Sequence, residues 1–340
     1  MMRLPRFQYF SPRTVGDAAA LLAEHGPNAS LVAGGTDLWP NMKRRQQTPT
    51  RVIGLRGVRA LHGVTGTPST GITVGAMTSL TAIENDATLA AAWPALGRSA
   101  RLISTPPLRN MGTLGGNLCL DTRCNYYNQS YEWRKAIDFC LKKDGDICWV
   151  ATASKRCVAV SSTDTAPALI ALNAIVKLQS EKGEREIPVE ALYKNDGIEY
   201  LSRRPDEILT EVRVPEGWKS TYWKLRRRGS FDFPILGVAA AVKFDQETIA
   251  DARIALGAVA SRPFLVEKAG EFLKGKKLSD EVIAHAAELV ANRAKPMDNT
   301  DMDLYWRKEV ADDFTEYALR ELRGDDMRET RLRIARAAIA

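Results

Sequence analysis

No cysteine occurs before Cys119 or after Cys157. All five, Cys119, Cys124, Cys140, Cys148 and Cys157, fall in one polar stretch of the chain. No apolar run approaches the roughly 20 residues of a membrane span, and Met1 to Pro5 has no signal-peptide core. The sequence therefore predicts a cytoplasmic protein that needs no membrane. In that reducing compartment, clustered cysteines point to metal or redox chemistry rather than to disulfides. There is no basic arm interleaved with aromatics, so nucleic acid is not an expected partner. No internal repeat and no low-complexity tract interrupts the chain.

What is present is an ordinary globular composition: 340 residues, 45% hydrophobic and 26% charged, enough for two or three domains. The formal net charge is +7. Such a surface suits an acidic partner, such as a nucleotide, an acyl-CoA or an acidic redox protein; a plain solvated surface gives the same sum.

Phe7 to Phe10 reads as a strand, and Val15, Ala18, Leu21 and Leu22 fall at helical spacing after it. Leu31-Val32-Ala33 is a buried strand running into Gly34-Gly35-Thr36-Asp37 and a helix start at Leu38 to Asn41. That order leaves several backbone N–H groups pointing outward together, which suits a phosphate; an ordinary βα turn has the same sequence. Arg51 to Leu55 and Gly71 to Ala76 are further strands, and Trp93 to Ile103 is a helix. Thr105 to Asn110 is expected to be non-helical, because each proline restricts its predecessor. Met111-Gly112-Thr113-Leu114-Gly115-Gly116-Asn117 is a second glycine turn. Together the two turns suggest a clamp on one pyrophosphate.

Beyond the cysteines, Ala166 to Leu172 is an apolar helix or turn, Ala174 to Leu178 a strand, and Glu181 to Glu184 a hairpin turn. Glu207 to Val214, Gly237 to Phe244 and Ile249 to Ala258 are strands. Leu278 to Asn292 and Asp303 to Leu322 are amphipathic helices, so the C-terminal region reads as an antiparallel sheet backed by helices. The charged tail after Arg323 is expected to be mobile or to grip a partner.

Cys124, Cys140, Cys148 and Cys157 read C-x15-C-x7-C-x8-C. Paired knuckles of the zinc type are missing. The bacterial ferredoxin run is missing too. Spacing favours a cubane iron–sulfur cluster over zinc and leaves unligated thiols open. Cys119, between Leu118 and Leu120, suits a small buried hydrophobe. Asn125 to Gln129 offers N–H donors that could tune cluster sulfurs. Lys142, Lys143, Lys155 and Arg156 would lower the charge of an anionic cluster and attract an acidic electron donor, or are simply exposed loop residues.

Four segments occur in order: Val32 to Leu38, Gly112 to Asn117, Asp164-Thr165-Ala166-Pro167-Ala168-Leu169, and Lys224 to Arg228. Together they resemble the FAD-binding medium subunits of the xanthine dehydrogenase (molybdenum hydroxylase) family, over nearly the whole chain. The resemblance implies an α+β fold: a two-part FAD-binding domain of the vanillyl-alcohol-oxidase (PCMH) type, then a small C-terminal α+β domain of the CO dehydrogenase flavoprotein type. The implied boundaries are 1–57, 58–218 with an insert at about 119–161, and 219–340.

By the same resemblance, backbone groups of Ala33, Gly34, Gly35, Thr36 and Asp37, and of Thr113, Gly115, Gly116 and Asn117, hold the FAD pyrophosphate. Asp164 bonds a hydroxyl of the cofactor, Lys224 lies near the flavin ring, and Leu108 and Asn117 line the pocket. None of these is a proton-transfer catalyst.

The insert resembles that of one branch, the 4-hydroxybenzoyl-CoA reductase β subunits. This implies a [4Fe–4S] cluster on Cys124, Cys140, Cys148 and Cys157, with Cys119 left out. It also implies a molybdopterin-binding large subunit carrying the substrate site, a small subunit with [2Fe–2S] clusters, a dimer of heterotrimers, and reduced ferredoxin as donor. Another molybdenum hydroxylase, oxidising an aromatic or heterocyclic substrate with NAD or a quinone, is the alternative.

Overall fold

The computed structural model describes residues 3 to 337, and among them twelve strands form three sheets. The first is parallel: β1 (Gln8–Phe10), β2 (Ala29–Val32) and β3 (Arg51–Gly54), in the order β1-β3-β2. Helix Val15–His25 makes the first crossover; the Thr14 hydroxyl caps it by accepting the Asp17 N–H at 3.0 Å. Its Ala18 and Leu22 pack with Ile53, Leu55 and Met77 in a small core.

The second sheet is antiparallel: β4 (Val64–Thr67), β5 (Gly71–Gly75), β6 (Ile175–Ser180), β7 (Gly183–Pro188) and β8 (Ile208–Val214), in the order β4-β5-β8-β6-β7. The β6–β7 hairpin turns where the Glu181 to Glu184 segment predicts it. The third sheet is also antiparallel, in the order β12-β11-β10-β9: β9 (Lys219–Leu225), β10 (Leu236–Asp245), β11 (Thr248–Gly257) and β12 (Phe264–Leu265).

The third sheet is buried on both faces, which is why β10 reads as a continuous apolar run rather than an alternation. Val238, Ala240 and Val242 pack with helices Asp280–Ala291 and Leu304–Arg323. Ala239 and Ala241 face the other way and join Trp93, Leu96 and Leu169 of the middle unit. The middle and C-terminal units thus share a core.

Two expectations are corrected. Pro106–Met111 is a helix. The prolines occupy its first two positions, where no intrahelical N–H is needed. The restraint on a predecessor stops at Thr105, which is extended at φ −124° and ψ 159°. The charged tail is also ordered: Arg328–Ala337 is a helix. Its Arg331 lies 3.7 Å from the Trp223 ring centre and donates to Glu321 at 2.5 Å. The last three residues, 338–340, fall outside the described ones. Among the described residues no helix is long and apolar enough to cross a membrane.

The two glycine turns touch. A Cβ on Gly34 would overlap the backbone carbonyl of Met111, and one on Gly116 would come within 3.6 Å of the Ala33 side chain. Gly34→Ala must therefore push the backbones of the turns away from each other. It should lower unfolding stability by about 2 kcal/mol or more, whereas Gly229→Ala, built into open space, should change it by less than about 0.5 kcal/mol. Urea unfolding measures both; equal midpoints would show that the turns are not in register-fixing contact.

Candidate functional site

The junction of the three units holds a cavity of about 650 Å³, within the range of small-molecule and cofactor sites. Ala33, Gly34, Gly35, Thr36, Asp37, Leu108, Thr113, Gly115, Gly116, Asn117 and Asp164 all line it. Eleven of the twelve residues expected to hold a cofactor thus meet around one space. Lys224 does not line it.

The two turns differ in what they offer. Among the described residues, no protein group accepts from the N–H groups of Gly34, Gly35, Thr36 or Asp37. These donors stand at the cavity wall, as a turn between strand and helix allows. In the second turn four of the five amides, those of Leu114 to Asn117, are taken within the protein. Leu114 N–H donates to Thr78 O, Gly115 N–H to Ala76 O at 2.8 Å, Gly116 N–H to Thr113 Oγ1 at 3.1 Å and Asn117 N–H to Thr113 O at 2.9 Å. Its glycines serve close packing instead: a Cβ on Gly115 would stand 2.8 Å from that of Ala76.

Asn117 Oδ1 accepts from Thr163 Oγ1, Thr165 N–H and Thr165 Oγ1 at 2.8, 3.1 and 2.6 Å. This fixes the amide orientation at the cavity wall. The Asp37 carboxylate pairs with Arg123 and accepts the Asp121 N–H at 3.3 Å.

Lys224 on β9 has its side chain fully buried behind the wall. Its Nζ donates to Asp164 Oδ2, Leu102 O and Asp232 O at 3.0, 2.9 and 3.0 Å. Asp164 Oδ1 accepts from the Tyr222 hydroxyl at 2.8 Å. Burial pushes the Asp164 carboxyl up and the Lys224 ammonium down, and their mutual attraction opposes both shifts. Lys224 therefore reaches the cavity wall through Asp164. The lysine holds Asp164, and two segments of the wall, in place.

The opposite rim carries residues that the motifs do not single out. Ser104, Tyr200, Arg203, Phe231, Asp232 and Phe233 also line the cavity. Ser104 and Phe231 both have left-handed backbone, at φ +46° and +70°, and Phe231 N–H donates to Ser104 O at 3.2 Å. Strained non-glycine positions of this kind collect at functional sites. The available signal is the loop Gly229-Ser230-Phe231-Asp232-Phe233-Pro234, where two aromatics stand between a glycine and a proline.

Comparison with known proteins decides what this cavity belongs to. Residues 5–217 match the FAD binding domain in molybdopterin dehydrogenase, and residues 220–322 match the CO dehydrogenase flavoprotein C-terminal domain. The chain belongs to the FAD-binding medium subunits of this family. It is 28% identical to the carbon monoxide dehydrogenase medium chain of Hydrogenophaga pseudoflava, over 93% of this chain and 96% of the other. It is 30% identical to the nicotine 6-hydroxylase medium subunit of Paenarthrobacter nicotinovorans, over 84% and 87%. A solved structure of the Hydrogenophaga pseudoflava carbon monoxide dehydrogenase superposes with a TM-score of 0.76 at 27% identity, covering 94% of this chain and 97% of that one. The protein is thus an FAD subunit of a molybdenum hydroxylase-family oxidoreductase. Its fold is the family's FAD-binding domain followed by the flavoprotein C-terminal domain.

The insert of this FAD subunit closes at a neck. Arg123 and Val160 exchange backbone hydrogen bonds at 2.8 and 2.7 Å, and Asn299 of the C-terminal unit donates to Val158 O at 2.5 Å. Beyond the neck, Cys124, Cys140, Cys148 and Cys157 are buried and line one apolar pocket with Tyr126, Tyr127, Leu141, Lys142, Trp149, Val150 and Ala159. Burial pushes the Cys124 thiol up to about 12 and the Cys157 thiol up to about 11. Backbone N–H groups of Tyr126 and Tyr127 oppose this at Cys124; the Ala159 N–H and Lys142 oppose it at Cys157. Among the described residues no three His, Cys, Asp or Glu side chains close on a single-ion site. Cys119 stands apart from the four and lines the large cavity.

Lys142 corrects another expectation. It is not part of a docking surface: its side chain is 6% exposed, and Nζ donates to Asp121 Oδ1 and Thr122 Oγ1 at 2.8 Å each. Lys143 pairs with Asp144 at 3.1 Å, and Lys155 and Arg156 are exposed.

Asp164→Asn would leave the Lys224 ammonium buried without a counter-charge. The expected loss is about 3 kcal/mol or more, with most of it recovered when Lys224→Met is added. Urea unfolding of the single and double variants reads this; a double variant as unstable as the single one would show that the pair is not the cause.

Proposed function

We propose that this FAD subunit also carries a [4Fe–4S] cluster and passes electrons within a molybdenum enzyme that reductively dehydroxylates 4-hydroxybenzoyl-CoA to benzoyl-CoA. The observation that carries the reading is the convergence of four buried cysteines on one pocket beside the FAD cavity. A single tetrahedral zinc needs its thiolates gathered at about 2.3 Å from one point. A cubane takes one thiolate per iron and spreads them, which suits four cysteines that share a pocket without forming a single-ion site.

When bound, FAD and the cluster accept and pass on electrons; the residues hold them. The free amides of Gly34 to Asp37 suit the pyrophosphate. Thr113 to Asn117 would shape the opposite side by close approach, and Leu108 and Asn117 would line the pocket. Asp164, oriented by Lys224 and Tyr222, would face a cofactor hydroxyl. Cys124, Cys140, Cys148 and Cys157 would ligate the cluster. The domain division that goes with this is 1–57, 58–218 and 219–340.

The substrate would bind on a partner chain. The complex would pair this chain with a molybdopterin-binding large subunit and a small [2Fe–2S] subunit, in the cytoplasm, as a dimer of heterotrimers. Reduced ferredoxin would be the donor, with Lys143, Lys155 and Arg156 as the basic residues left to meet it.

A second reading has its own support. The nicotine 6-hydroxylase medium subunit among the relatives favours an oxidative enzyme acting on a heterocycle, with NAD or a quinone as acceptor. The purified complex separates the two. Benzoyl-CoA formed from 4-hydroxybenzoyl-CoA with reduced ferredoxin supports the first; heterocycle oxidation with no benzoyl-CoA supports the second. About four irons and four acid-labile sulfides on this chain are expected. Cys140→Ser should lose the iron and its visible absorption, and Cys119→Ser should keep both. Equal iron loss from the two variants would remove the ligand assignment.

A further inference from the structure

The FAD cavity and the cysteine pocket are separated by one layer of side chains, and that layer is charged. Asp121 and Tyr200 line the cavity, while Lys142 and Tyr127 line the cysteine pocket. A single carboxylate joins the two sides. Asp121 Oδ1 accepts from Lys142 Nζ at 2.8 Å, and Oδ2 accepts from the Tyr127 hydroxyl at 2.9 Å and from Gln47 Nε2 at 3.2 Å.

The ammonium is held from every side. Besides Asp121, it donates to Thr122 Oγ1 at 2.8 Å and Gly197 O at 2.5 Å. The ring centres of Tyr127 and Tyr200 lie 4.7 and 5.5 Å from Nζ. Gly197 itself lies against the cysteine pocket: a Cβ there would stand 2.6 Å from the Cys157 sulfur. The Lys142 and Asp121 side chains are 6% and 4% exposed. A buried pair of this kind adds little net stability over an apolar pair of the same shape, so stability is a weak account of it. Burial also screens it little from whatever charge changes beside it.

We propose that Lys142 is a positioning residue for charge: its buried ammonium sets the reduction potential of the cysteine centre, and Asp121 couples that potential to the flavin cavity. The proposal rests on the reading that the cysteines hold a cluster and the cavity holds FAD. Charge fixes the direction of each effect. Reducing a thiolate-held centre by one electron adds a negative charge to it. A fixed cation at its wall favours the reduced form, and an anion beside that cation weakens the effect. The same anion at the cavity wall disfavours negative charge on a reduced flavin.

Redox titration of the purified complex tests this, with dithionite supplying the electrons, flavin absorption read in one channel and the paramagnetic signal of the reduced centre in the other. Lys142→Gln should make reduction of the centre at least tenfold less favourable, a shift of about 59 mV downward for one electron. Asp121→Asn should shift both the centre and the flavin upward. Lys143→Gln, at the neighbouring half-buried position whose ammonium pairs with Asp144 at 3.1 Å, should leave both where they are.

Opposite shifts for Lys142→Gln and Asp121→Asn uphold the proposal. Potentials unchanged within threefold, shifts of the same sign, or an equal shift from Lys143→Gln overturn it. Loss of iron and FAD from both variants would make the pair a structural strut and also overturn it. A wild-type chain without iron or acid-labile sulfide removes the reading beneath the proposal as well, and that outcome is told from the others by iron analysis alone.

Discussion

The ammonium of Lys224 ties together three segments that no single domain contains. Asp164 opens helix Thr165–Ala171 in the middle unit, Leu102 follows helix Pro94–Arg101, and Asp232 belongs to the aromatic rim loop of the C-terminal unit. Each supplies one oxygen to the same nitrogen. A buried cation with fewer partners would be costly, so the three segments are held at one geometry or the site comes apart. The cavity wall inherits that geometry. Asp164 faces the cavity because Lys224 and Tyr222 fix it, and Phe231 is carried to the rim by the loop that Lys224 holds through Asp232. The third sheet, buried on both faces, is what delivers Lys224 and Tyr222 to that point from β9.

Much of this was legible in the sequence, for identifiable reasons. The βα turn at Gly34 to Asp37 has local causes, and among the described residues no protein group uses its amides. The Asp164 and Lys224 segments also meet, although the two residues lie 60 positions apart. What failed was the step from a residue type to the direction it faces. Thr113 to Asn117 has the same glycine content as the first turn, yet its amides from Leu114 to Asn117 bond inward to Ala76, Thr78 and Thr113. Pro106 and Pro107 read as helix breakers, and at a helix start they are not. Lys142 looks like its neighbour Lys143, and only the fold separates a buried cation from a half-buried one. The prolines follow a local rule of helix starts, whereas the turn and the lysine depend on tertiary contacts far along the chain, which periodicity and composition do not encode.

The insert shows how an added loop can be joined to an existing site without loosening it. Its neck is a two-residue antiparallel bridge at Arg123 and Val160, braced by Asn125, Val158 and Asn299. Arg123 also pairs with Asp37 of the first unit and lies 5.0 Å from the Phe233 ring centre. One arginine therefore touches the first glycine turn, the rim loop and the neck at once. That makes the insert a fixed part of the cavity's surroundings rather than a flexible appendage.

The same economy explains the division of labour among the cysteines. Cys119 caps helix Leu114–Leu118 of the second turn and faces the large cavity, before the neck begins. Burial pushes its thiol up, so it behaves as a small apolar wall residue rather than as a thiolate. The other four lie beyond the neck, in a pocket whose backbone N–H groups and one ammonium already oppose the effect of burial on the thiols. A thiolate centre is most stable where such donors stand fixed before it forms. The insert supplies them from Tyr126, Tyr127, Ala159 and Lys142, and the last of these is held by a carboxylate that belongs to the cavity. Two sites that could have been independent are therefore linked by charge through a single layer of side chains.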